Sequence, residues 1–170
     1  ELSGNFVKGW DIPKSDNDIT SRVYHFRVEG KDYIVYTDRY RIYILDRKGK
    51  ERVKVSTLLN LPENTLLYLT KQDEQAKIVF TNVNGEIVLV DFRGNVQLVK
   101  GENMIGGGSL NVEDVNCDGR DEFVYACGNT LQVYDCQGKL LAEHQWDNAM
   151  LGIPYTYRFS TKDTRIGLLD

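Results

Sequence analysis

The chain has 170 residues, 41% of them hydrophobic and 27% charged, which describes a folded globular chain and excludes an intrinsically disordered one. The net charge of −4 argues against a nucleic-acid binder, which needs a clustered basic surface. No run approaches the roughly 18 apolar residues that a membrane-spanning helix requires, so direct membrane insertion is not expected.

The opening ELSGNFVKGW carries neither a basic n-region nor an apolar h-region, so no signal peptide is read there. It reads instead as the end of a repeat. Tyr40-RIYILDRKGKERVKV aligns with Gly85-EIVLVDFRGNVQLVK and with Asn129-TLQVYDCQGKLLAEH. Each is an extended apolar run, then Asp, two residues, Gly and a second extended run. The aspartates are Asp46, Asp91 and Asp135; the glycines are Gly49, Gly94 and Gly138, spaced by 45 and 44 residues. One period earlier lies Gly4, where GNFVKGW matches GNVQLVK at Gly94.

Upstream of each hairpin come two more apolar runs. They begin at Ser21 and Lys31, at Asn64 and Ala76, and at Ser109 and Asp121. They are rich in Val, Ile, Tyr and Phe and are broken by Gly, Asn and Asp, the residues of turns. Four short strands in about 45 residues is the size of one β-propeller blade. The predicted fold class is therefore all-β, made of propeller-like repeats of four-stranded antiparallel blades. In chain order these are an outer strand of a preceding blade (1–12), blades over 19–60, 64–103 and 108–146, and the start of a further blade over 153–170. STLLNLPENTLL reads as a connection between blades. The ring is either incomplete, as part of a longer chain, or four-bladed, and open blade edges would favour a homo-oligomer.

One loop carries specific chemistry. Asp114-VNCDGRD-Glu122 places oxygen-bearing side chains at alternate positions. Calcium takes about six to eight hard oxygen ligands, several of which one such turn supplies. The candidate ligands are Asp114, Asn116, Asp118, the backbone carbonyl of Arg120, and Glu122, with Gly119 allowing the sharp turn. Asp121 is expected to face away or to bond a loop amide. A metal-free turn held by side-chain-to-backbone bonds is the alternative. The loop resembles the calcium loops of FG-GAP and VCBS repeats, with Cys117 standing where that family often has Gly. The stretch from Gly4 to Val55 also resembles propeller regions of large, uncharacterised envelope proteins of Bacteroidetes-type bacteria. That resemblance implies an extracytoplasmic setting within a longer exported chain, and it transfers no catalytic residues.

Other residues read as structural. Cys117, Cys127 and Cys136 have no CxxC spacing and argue against zinc; one disulfide plus a free thiol is one arrangement left open. His25 and the basic stretch Arg47–Lys54 read as surface positions, the triple glycine Gly106–Gly108 as a close approach or turn between blades, and most tyrosines as packing between blades. Trp10 and Trp146 are expected to play equivalent roles at blade ends. Asp38, Arg39 and Arg41, the nearest thing to a catalytic cluster, read as a turn of solvated charges. The expected function is a non-enzymatic module that binds a protein or glycan. Part of a propeller enzyme, glycan-processing or quinoprotein-like, and a self-assembling structural domain are the alternatives.

Overall fold

The computed structural model describes residues 9–10, 15–72, 75–149 and 151–169. The expected outer strand over 1–12 falls almost wholly outside them. The described residues contain no helix. Blade 1 comprises β1 (Tyr24–Val28), β2 (Lys31–Thr37), β3 (Ile42–Leu45) and β4 (Glu51–Val53). Blade 2 comprises β5 (Tyr68–Gln72), β6 (Gln75–Thr81), β7 (Ile87–Asp91) and β8 (Val96–Val99), and blade 3 β9 (Ser109–Glu113), β10 (Glu122–Cys127), β11 (Thr130–Tyr134) and β12 (Leu140–Gln145). Each is a four-stranded antiparallel meander in sequence order, and β13 (Leu151–Ser160) and β14 (Asp163–Leu169) form a two-stranded sheet. The fold is β-propeller-like.

The Asp-x-x-Gly turn is the same device three times. The side-chain Oδ1 of Asp46 accepts from the amides of Lys48 and Lys50, that of Asp91 from Arg93 and Asn95, and that of Asp135 from Gln137 and Lys139, at 2.7–3.1 Å. The amides of Gly49, Gly94 and Gly138 then donate to the aspartate carbonyls at 3.0–3.2 Å. These glycines sit at φ 78°, 91° and 86°, left-handed values that side chains rarely adopt. Backbone donors hold the Asp46 carboxyl below the ordinary carboxylate range. Burial pushes Asp91 upward, but Asn95 and the turn amides outweigh it and leave its pKa lowered.

Blades stack through apolar faces. One cluster joins Val35, Ile44 and Val53 of blade 1 to Ile78, Phe80, Val88 and Val90 of blade 2; a second joins Val79, Ile87 and Leu89 of blade 2 to Phe123, Tyr125 and Tyr134 of blade 3. Both faces of the central strands are covered, so Ile87 to Val90 are all buried and simple alternation disappears. The outer β12 is mostly exposed. Polar struts reinforce the stack: Tyr68 donates to the Leu110 carbonyl at 2.6 Å, and Asn111 donates to Thr156 at 3.3 Å. Burial pushes the Tyr68 hydroxyl up to about 12.

Some sequence readings change in three dimensions and others stand. Asp38 is not a solvated charge; it is fully buried. Tyr155 and Tyr157 do not pack between described blades and are 49% and 56% exposed. The two tryptophans differ: Trp10 donates its indole N–H to the Arg47 carbonyl of blade 1 at 2.8 Å, whereas Trp146, just past β12, meets His144 edge-on. The connection through Pro62 is irregular, with no helical turn. No disulfide joins Cys117, Cys127 and Cys136. His25 is an exposed residue that bonds Asp32.

Candidate functional site

Two features stand out, an acidic loop between β9 and β10 and a cavity bounded by all four successive sheets. The loop forms because Asp114 is held at the end of β9 with both carboxylate oxygens turned onto the following backbone. They accept from the amides of Asp118 (3.0 Å) and Gly119 (3.1 Å). Glu122 folds back from the start of β10, and its Oε2 accepts from Val115 (2.9 Å) and Asn116 (3.2 Å). The Asn116 side-chain N–H2 bridges Asp118 at 3.1 Å and Glu122 at 3.0 Å. Cys117 and Gly119 take positive φ, 62° and 90°, to close the turn.

Asp114, Asn116, Asp118 and Glu122 are thus brought together in one turn. Asp114 and Glu122 are buried, while Asp118 and Arg120 are exposed. Burial, followed by the Asp118 and Asp114 charges, raises the Glu122 pKa against the pull of its two backbone donors. The donor set has the hard-oxygen chemistry calcium prefers. As the side chains stand, no three His, Cys, Asp or Glu among the described residues converge to hold a metal. The Asn116 amide and backbone N–H groups occupy the carboxylates instead.

Asp121 faces away from the other loop oxygens: its carboxylate accepts a hydrogen bond from the Thr70 hydroxyl of blade 2. On the other side the β13–β14 sheet closes over the loop. Arg158 lies 3.6 Å from Asp114, and Thr164 donates to the Asp114 carbonyl at 3.3 Å. Sequence reasoning missed Thr70, Arg158 and Thr164. They are single residues on other blades, and no local pattern marks them.

The second feature is a cavity of about 420 Å³. It is lined by Arg22, Thr65, Ser109 and Ile153 at the entries to the four successive sheets, together with Asn82 and Gly108. The triple glycine shapes its wall. The Gly108 amide donates to the Tyr125 hydroxyl at 2.9 Å, and a Cβ on Gly108 would stand 2.3 Å from that ring. Only hydrogen at this position lets the connection between blades 2 and 3 lie against Tyr125. The lining mixes a guanidinium, the Glu63 carboxylate, hydroxyls, amides and several apolar groups.

No family model matches the chain, and no curated protein matches it. Solved structures do. The V. cholerae biofilm matrix protein Bap1 superposes with a TM-score of 0.64 at 18% identity, covering 94% of this chain and 30% of that one. Two crystal structures of BBS1N in complex with ARL6DN also match. The mercury-soaked one gives a TM-score of 0.50 at 19% identity, covering 80% of this chain and 43% of that one. The lead-soaked one gives 0.55 at 12% identity, covering 96% and 52%. The chain spans only about a third to a half of these proteins. At such identities the likeness establishes the fold alone.

Proposed function

We propose that the chain is a non-enzymatic, extracytoplasmic propeller-like module. It binds a protein or glycan at the cavity bounded by the four sheets, and calcium stiffens its acidic loop. The cavity carries this reading: four successive sheets present Arg22, Thr65, Ser109 and Ile153 around one opening. Hydroxyl, amide and guanidinium groups suit a ligand rich in hydroxyls or backbone amides, and a rigid blade frame loses little entropy on binding. A matrix protein and a protein held in a complex among the structural neighbours are in keeping with a binding role.

Glycan-array and pull-down measurements test the binding surface. Ser109→Trp, which fills the cavity, is expected to abolish capture, and Arg22→Ala to weaken it. Turnover of a glycoside, ester or quinone panel by the unmodified chain would overturn the non-enzymatic reading.

Calcium has its own measurement. A cation bound at about 100 times its Kd adds about 2.7 kcal/mol of stability, which raises the melting temperature of a domain this size by roughly 5–10 °C. Asp118→Ala is expected to remove that rise. Asp118 is exposed, so the substitution costs the metal-free fold only the surface hydrogen bonds from Asn116 and Arg120. Superposable melts in calcium and in chelator would rule the metal out.

A further inference from the structure

The acidic loop holds a surplus of negative charge that its hydrogen bonds do not remove. Asp114 accepts from two backbone amides, Asp118 from the Arg120 amide and the Asn116 side chain, and Glu122 from two amides and that same side chain. All of these donors are neutral. They satisfy the oxygens but leave three carboxylates close together in one turn, and such a cluster calls for a counter-ion. Among the described residues, Arg158 is the one cation within ion-pair reach of them, 3.6 Å from Asp114 Oδ2. The loop's own Arg120 is exposed and forms no such pair among the described residues.

The placement of Arg158 is specific. Asn111 of β9 donates to Thr156 of β13 at 3.3 Å. Two residues on, Arg158 leaves the same face of β13 and meets Asp114, which directly follows β9. Arg158 pairs across the sheet with Thr164, whose hydroxyl donates to the Asp114 carbonyl at 3.3 Å and lies 3.5 Å from the Cys117 sulfur. One cross-strand pair thus grips Asp114 by its side chain and by its backbone. The register of the sheet shifts between Arg158 and Ser160, an irregularity of the kind that re-aims a side chain.

We propose, on the reading of this loop as a calcium site, that Arg158 is the loop's built-in counter-ion and sets its affinity for calcium. Guanidinium and metal draw on the same Asp114 carboxylate, so each weakens the hold of the other by the same factor. Without metal, the loop is neutralised by its neighbour, and blade 3 is tied to the β13–β14 sheet. The Arg158 side chain is 47% exposed, so it can leave Asp114 for water at little cost to the fold.

The probe is calcium chloride, titrated calorimetrically into the whole chain and its variants. Arg158→Met is expected to tighten calcium about three- to tenfold, the scale of one unit charge removed from beside a partly screened site. A merely structural arginine would act the other way, since its loss would loosen the loop and weaken binding. Arg158→Lys keeps the charge at a contact that is not bidentate, and should stay within about twofold of the unmodified chain. Arg165→Met removes an exposed cation that pairs with Asp163 instead, and should change nothing. Binding by Arg158→Met alone would support the proposal most strongly. Equal or weaker affinity in Arg158→Met, or the same gain in Arg165→Met, would overturn it and leave the calcium site standing. No heat and no melting shift in any of these chains at millimolar calcium would remove the calcium site itself, and the proposal with it.

Discussion

Asp38→Ala is expected to destabilise the chain by about 3–5 kcal/mol, because it strips the acceptor from one buried and three partly buried hydrogen bonds at once. Asp38 directly follows β2 and is fully buried. Its Oδ1 accepts from the amides of Tyr40 and Arg41 at 2.7 and 2.8 Å; its Oδ2 accepts from the Tyr43 hydroxyl at 2.9 Å and the Asn17 amide at 3.3 Å. Tyr43 in turn accepts from the Asp16 amide at 3.0 Å. One carboxylate therefore ties the β2–β3 turn to the segment that enters blade 1. Thermal and urea unfolding measure the loss, and a cost under about 1 kcal/mol would mean that water reaches these donors.

The same network sets a pH dependence. Burial raises the Asp38 pKa, but the Tyr40 amide, the Tyr43 hydroxyl, the Arg41 amide and the Asn17 side chain together bring it below the ordinary 3.8. The folded chain thus releases the Asp38 proton more readily than the unfolded chain does. The stabilisation is complete above the unfolded value and is lost as pH falls through the lowered folded one. Asp38→Asn is expected to flatten this acid limb while keeping an oxygen for the turn amides. An unchanged limb would assign the acid sensitivity to other carboxylates.

Gly94→Ala is expected to cost about 3 kcal/mol or more, combining left-handed backbone strain with overpacking. At φ 91° a Cβ would stand 2.3 Å from the Lys54 carbonyl oxygen of blade 1, a backbone atom that cannot swing aside. Gly30 is the control. It has φ 74° but nothing within 4 Å, so alanine there costs only the strain, about 1–2 kcal/mol. Calorimetry on the two variants separates a turn requirement from a blade-spacing requirement. Equal losses would show that the contact with Lys54 carries no weight.

The contact at Gly94 recurs one blade on, where a Cβ on Gly138 would meet Val99 and Lys100. At the first blade, Trp10 reaches the same turn through the Arg47 carbonyl. The turn glycines thus have two duties. Only the first, positive φ within Asp-x-x-Gly, was legible beforehand. The second lies between residues about 40 apart, on different sheets, and no local pattern announces it.

What the sequence by itself determined was the repeat: strand after strand, the Asp-x-x-Gly turn at Asp46, Asp91 and Asp135, and the acidic loop from Asp114 to Glu122. Strand propensity and turn chemistry are local, so they survive without knowledge of neighbours. Tertiary structure alone decided which charges lose water and which apolar groups keep it. Asp38 is buried because the segment before blade 1 and the Tyr43 ring close over it. Asp121 turns to Thr70 because blade 2 lies alongside. Tyr155 and Tyr157 stay wet because no described sheet covers them. Burial belongs to pairs of surfaces, and a chain read one residue at a time shows only one surface of each pair.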